Sequence, residues 1–183
     1  MSMGGNKAIF LDRDGTINVE KNYLYKTEEF EYLDGVAEGL RALSDMGYVL
    51  VVITNQSGIA RGYYTEEDYE NFMDWMLSDL ADKGVHIAKA YYCPHLKGSL
   101  IRGYDIDCDC RKPATGLFYQ AQKDFDIDMD RSVAIGDKVR DLAICRKSNV
   151  NGILIGKEKQ DAGFEYDLCD GWKQIIELME KRL

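Results

Sequence analysis

Short apolar runs alternate along the chain with stretches in which apolar residues recur every three or four positions. That alternation is the mark of strands interleaved with amphipathic helices, and it predicts an α/β domain with a parallel sheet. The runs predict strands over residues 8–11, 49–54, 87–93, 132–135 and 152–155. Between them, Val36, Leu40, Leu43 and Met46 form one stripe of a helix over 36–46, with Gly47 as its stop. A second helix opens at Thr65, whose hydroxyl can cap a first turn rich in Glu66, Glu67 and Asp68. It buries Tyr69, Phe72, Met73, Met76, Leu77 and Leu80, and Gly84 ends it. Further helices are predicted over about 116–125, 139–147 and 172–183. The Met and aromatic positions on these stripes read as core. Residues 93–110 break the rhythm: a connection that long in a compact domain needs either a function or a staple.

The 183 residues suit a single domain spanning 1–183, and no repeat or linker divides them. With 45% hydrophobic and 30% charged residues the composition is that of a globular chain. No apolar run is long enough to span a membrane, and residues 1–6 lack the pattern of a signal peptide. Those six residues are set aside from the fold, and the chain is expected to be cytoplasmic and, lacking an apolar surface stripe, monomeric. A net charge of −9 argues against nucleic-acid partners, which require a basic surface. It does not exclude a phosphate substrate, because a bound cation and a few local bases can invert the field within a site. Five cysteines in such a chain are poor grounds for disulfides.

Candidate chemistry gathers at the predicted strand ends. Asp12 and Asp14, in Asp12-Arg13-Asp14-Gly15-Thr16, follow the first strand. Ligands bind at the carboxyl ends of open parallel sheets. A side-chain oxygen of Asp12 and the backbone carbonyl of Asp14 suit Mg2+. A carboxylate placed there can attack phosphorus while a second one moves the proton. Taken alone, Asp-x-Asp-Gly reads equally well as a turn. It is not alone. Thr54-Asn55-Gln56-Ser57 follows the second strand, Arg111-Lys112-Pro113 precedes a helix, and Gly136-Asp137-Lys138 follows the fourth strand, with Asp141 placed to orient a water or Lys112. Phosphoryl transfer needs such convergent charge.

Within the aperiodic loop, Cys93-Pro94-His95 and Cys108-Asp109-Cys110 offer three thiolates and an imidazole. That donor set suits a closed, structural Zn2+ site. The tight spacing within each pair departs from the usual finger pattern, so separately buried residues are the alternative. Cys145 and Cys169 read as small buried hydrophobes.

The set Asp12-x-Asp14-Gly15-Thr16, Thr54, Lys112 and Gly136-Asp137-x-x-x-Asp141 resembles the haloacid dehalogenase-like superfamily over nearly the whole chain. The resemblance implies a doubly wound, Rossmann-like core without a large cap domain. It makes Asp12 the nucleophile and Asp14 the acid/base, has Thr54 and Lys112 bind the transferring phosphoryl group, and completes the Mg2+ site with Asp137. The Cys-Pro-His and Cys-Asp-Cys-Arg-Lys-Pro combination resembles two of its families, the D-glycero-D-manno-heptose 1,7-bisphosphate 7-phosphatases and the histidinol-phosphate phosphatases. Ser57, the long Cys-rich loop and the stretch from Asp12 to Tyr23 favour the heptose family. That family implies a sugar bisphosphate substrate on the route to ADP- or GDP-heptose for cell-surface glycans. It also implies substrate contacts from Glu20, Lys21, Asn22, Tyr23, Thr54, Asn55, Gln56, Ser57, Arg111 and Lys138. Lys21, Asn22, the segment after Pro113 and Cys145–Ser148 depart from its pattern. A zinc-stapled sugar-phosphate binder without activity is the reading from a different class.

Overall fold

The computed structural model describes residues 5–182. Its centre is a six-stranded, wholly parallel sheet in the order β3-β2-β1-β4-β5-β6. The strands are β1 (Ala8–Leu11), β2 (Val49–Asn55), β3 (Lys89–Cys93), β4 (Val133–Gly136), β5 (Asn151–Ile155) and β6 (Asp167–Cys169). The helices are α1 (Val36–Asp45), α2 (Ser57–Ala60), α3 (Glu66–Asp82), α4 (Gly116–Phe125) and α5 (Trp172–Glu180).

Side-chain alternation along buried strands dictates two cores. Ile9 and Leu11 of β1, Leu50 and Val52 of β2, and Val133 and Ile135 of β4 face one layer, filled by Leu40 and Leu43 of α1, Phe72 and Met76 of α3, and Trp172 and Ile175 of α5. Ala8, Phe10, Val51, Ile53 and Ala134 face the other, covered by Leu117, Phe118 and Ala121 of α4 and by Leu142 and Ile144. The sheet is therefore doubly wound, as the superfamily resemblance implies. No domain-sized insertion separates β1 from β2.

Thr65 caps α3 as expected, its hydroxyl accepting from the Asp68 amide in a capping box. Three expectations need correction. Residues 139–146 form a 3-10 helix rather than an α-helix, and Asp141 packs so closely that a Cβ on Gly136 would lie 2.3 Å from its own Cβ. α5 stops at Glu180, short of the predicted 183; Leu183 lies outside the described residues. Asn6 belongs to the fold, although residues 1–6 were set aside: its amide donates to the Asp126 carbonyl at 2.7 Å and its side chain to the Phe125 carbonyl at 2.8 Å. Residues 1–4 lie outside the described residues. The short edge strand β6 and the single-turn α2 were not anticipated, since three or four residues carry no measurable period.

Candidate active site

Parallel pairing of β1 with β2 and β4 brings Asp12, Asn55 and Asp137 to one edge of the sheet. Asp12 leaves β1 with its amide bonded to the Ile135 carbonyl at 3.0 Å. The pivot of the site is Lys112, only 3% exposed. Its Nζ lies 2.7 Å from Asp12 Oδ1 and 2.8 Å from Asp141 Oδ1, and donates to the Ile53 carbonyl at 2.6 Å. Burial pulls the Lys112 ammonium toward neutrality, but Asp12 and Asp141 override it, and the group stays protonated. Burial and Asp141 push the Asp12 carboxyl up to about 7 against the pull of Lys112. Asp12 and Asp141 share the one Lys112 ammonium, leaving negative charge that a divalent cation would neutralise.

The acid cluster of Asp12, Asp137 and Asp141 presents oxygens within 4.8 Å of one another. Asp137 Oδ1 is buried without a hydrogen-bond partner, while its Oδ2 accepts from Lys138 Nζ at 2.8 Å. Both Asp141 oxygens are already engaged, one by Lys112 and the other by the Lys138 amide at 3.0 Å. An orphaned carboxylate oxygen beside Asp12 fits a hard cation such as Mg2+. Gly15 is indispensable here, because a Cβ at its φ of +80° would sit 2.4 Å from Asp137 Oδ2.

Asp14 is held by donors on both oxygens: Arg13 Nε and Nη2 at 3.1 and 2.8 Å, Asn18 Nδ2 at 3.1 Å and Gln56 Nε2 at 3.1 Å. Gln56 also donates to Thr54 Oγ1 at 2.9 Å and accepts from Tyr64 at 2.6 Å, so one amide aligns Asp14 with Thr54. Sequence reasoning gave Arg13 no part. It is fully buried, donates to the Leu24 carbonyl at 2.8 Å and lies against the rings of Tyr69 and Phe72. A charged residue inside a catalytic-looking motif is the signal that could have revealed it. Asn55 grips Lys112 from both sides, donating to its carbonyl and accepting from its amide at 3.0 Å each.

Above these groups lies a cleft of about 460 Å³ lined by Asp14, Glu20, Asn22, Tyr23, Asn55, Gln56, Ser57, Tyr64 and four cations, Arg61, Arg111, Lys138 and Arg140. Most of the expected substrate contacts therefore converge. Lys21 does not: its ammonium pairs with Glu31 at 3.0 Å, outside the cleft lining. Thr54 lies beneath the cleft, 1% exposed.

Cys93 Sγ, His95 Nδ1, Cys108 Sγ and Cys110 Sγ all lie within 4.8 Å of one another, five of the six pairs at 3.1 to 3.6 Å. Disulfide sulfurs would be about 2.05 Å apart, and all five cysteines are free. A zinc tetrahedron with bonds of about 2.3 Å has edges of roughly 3.8 Å, so the donor set fits that ion with slight expansion. Arg111 ties this loop to the cleft by donating to the His95 carbonyl at 3.3 Å.

The parallel sheet, the terminal aspartate and the buried lysine together define a haloacid dehalogenase-like phosphatase. The family model described as polynucleotide kinase 3 phosphatase matches residues 7–163. A D-glycero-beta-D-manno-heptose-1,7-bisphosphate 7-phosphatase of Yersinia pestis is 39% identical over 90% of this chain and 88% of its own. The corresponding alpha enzyme of Campylobacter jejuni is 39% identical over 96% and 97%. A D,D-heptose 1,7-bisphosphate phosphatase of B. bronchiseptica, solved with magnesium and phosphate, superposes with a TM-score of 0.80 at 26% identity, over 97% of this chain and 99% of that one. The chain belongs to the family of the D-glycero-D-manno-heptose-1,7-bisphosphate 7-phosphatases.

Proposed function

We propose that the protein is a Mg2+-dependent phosphatase that removes the 7-phosphate of a D-glycero-D-manno-heptose 1,7-bisphosphate. The observation that carries the substrate class is the concentration of four cations around the cleft of a chain whose net charge is −9. Such a rim suits a sugar with two phosphates and repels the cationic side chain of histidinol phosphate.

In this reading a carboxylate oxygen of Asp12 attacks phosphorus and the sugar C7 oxygen leaves. Asp14 gives that oxygen its proton, then takes one from the water that attacks phosphorus and releases inorganic phosphate. Lys112 and Thr54 hold the phosphoryl oxygens while Asn55 and Gln56 keep those two residues in register. Mg2+, held by Asp12, Asp137 and the Asp14 main chain, would supply positive charge against the phosphoryl oxygens. Cys93, His95, Cys108 and Cys110 would hold a structural Zn2+ that orders the loop carrying Arg111. No helix among the described residues is long and apolar enough to cross a membrane. We place the enzyme in the cytoplasm, feeding nucleotide-activated heptose to cell-surface glycans. Phosphate release with Mg2+ from both heptose bisphosphate anomers and from histidinol phosphate tests the reading; faster turnover of histidinol phosphate would overturn it.

A further inference from the structure

Two of the four cations at the cleft, Arg61 and Arg140, had no part in the sequence reading. Both side chains are exposed, and among the described residues neither guanidinium has a hydrogen-bond or ion-pair partner. The other two cations are partly engaged. Lys138 Nζ lies 2.8 Å from Asp137 Oδ2 and 3.9 Å from Glu20 Oε2, and Arg111 donates to the His95 carbonyl. An anion arriving at Lys138 must compete with two carboxylates, whereas Arg61 and Arg140 have all their donors free.

Arg61 is nonetheless held in place. It ends α2 with its amide bonded to the Ser57 carbonyl at 3.1 Å. The preceding carbonyl, that of Ala60, accepts from Ser99 Oγ at 2.6 Å, so the Cys-rich loop braces the end of α2. On the other side the guanidinium lies 5.7 Å from the centre of the Tyr23 ring, which meets Tyr63 edge-on at 4.8 Å. The backbone of Arg61 is thus fixed and its guanidinium held near Tyr23 while its hydrogen-bond donors stay open, which suits a bidentate phosphate. Arg140 stands on the turn that starts beside Lys138 and lines the same cleft.

We propose that Arg61 and Arg140 are further specificity-determining cations that, beside Arg111 and Lys138, receive the phosphate that is not cleaved. The inference rests on the bisphosphatase reading. It is tested with wild type, Arg61→Leu, Arg140→Leu and Arg61→Lys, comparing kcat/KM for heptose 1,7-bisphosphate and for the same heptose carrying only the 7-phosphate. Each Leu variant should lower the bisphosphate-to-monophosphate ratio by about ten- to a hundredfold, mainly through KM for the bisphosphate. Arg61→Lys should recover part of it, since charge returns without the fork. Leu variants that keep the wild-type ratio would overturn the inference. A wild-type enzyme with no preference for the bisphosphate would overturn the proposed function and this inference with it, and that result is visible before any substitution is made.

Discussion

Replacing Lys112 by Met keeps the buried apolar stem and deletes the one ammonium between Asp12 and Asp141. At an effective dielectric of about 20, contacts of this length correspond to roughly 6 kcal/mol each before desolvation is subtracted. Burying the ammonium consumes several kcal/mol of that, so removing one partner of such a group costs about 3–5 kcal/mol net. The Asp12 carboxyl, already pushed up to about 7, can relieve part of the loss by taking a proton. The destabilisation should therefore be about 3 kcal/mol at neutral pH and smaller in mild acid. Urea unfolding in the presence of a chelator reads it: with m of about 2 kcal/mol/M, the midpoint falls by roughly 1.5 M. Adding Asp141→Asn to the variant should restore about 1 kcal/mol or more, because that change removes one of the stranded charges. A loss under about 1 kcal/mol, or a double variant weaker than additivity predicts, would refute Lys112 as the electrostatic pivot.

Other consequences concern the metals and the core. Cys108→Ser should abolish stoichiometric zinc in native mass spectrometry and lower Tm by at least about 5 °C; a zinc-loaded variant with unchanged Tm would contradict the staple. In the metal-free chain the Asp12 pKa lies above its ordinary 3.8, so its contribution to stability declines as pH rises toward about 7. Bound Mg2+ should offset that decline, making the Mg2+-induced rise in Tm larger near about pH 8 than near about pH 5.5; equal increments would argue against Asp12 as a ligand. Gly39→Ala, favourable by about 1 kcal/mol in an ordinary helix, should instead destabilise by roughly 1–3 kcal/mol. The added Cβ would lie 2.5 Å from the Trp172 ring, and differential scanning calorimetry gives the sign.

The sequence announced the architecture because both faces of this sheet are buried. Runs such as Ala8–Leu11 are apolar at every position, and the helices between them carry clean stripes. It hid β6, whose Asp167 and Leu168 are half-exposed, and the 3-10 geometry of residues 139–146, where Asp141 packs against Gly136. Asp12, Asp14, Lys112, Asp137 and the four zinc-type donors could be picked out as candidates from residue type and motif. The second layer was not. Arg13 beneath Asp14, Gln56 linking Asp14 to Thr54, and Asn55 clamping Lys112 are contacts between residues far apart in the chain, which periodicity cannot express. The pairing of Lys21 with Glu31 is hidden for the same reason, since only the fold places Glu31 within its reach.

In the proposed function Asp12 and its neighbours cleave one particular ester, the 7-phosphate, of a sugar bisphosphate. Single-turnover hydrolysis of D-glycero-D-manno-heptose 1,7-bisphosphate followed by 31P NMR reads this directly. Inorganic phosphate should appear together with a product that retains the anomeric 1-phosphate resonance, and Asp12→Asn should give neither. Loss of the 1-phosphate resonance, or undiminished turnover by Asp12→Asn, would contradict the account.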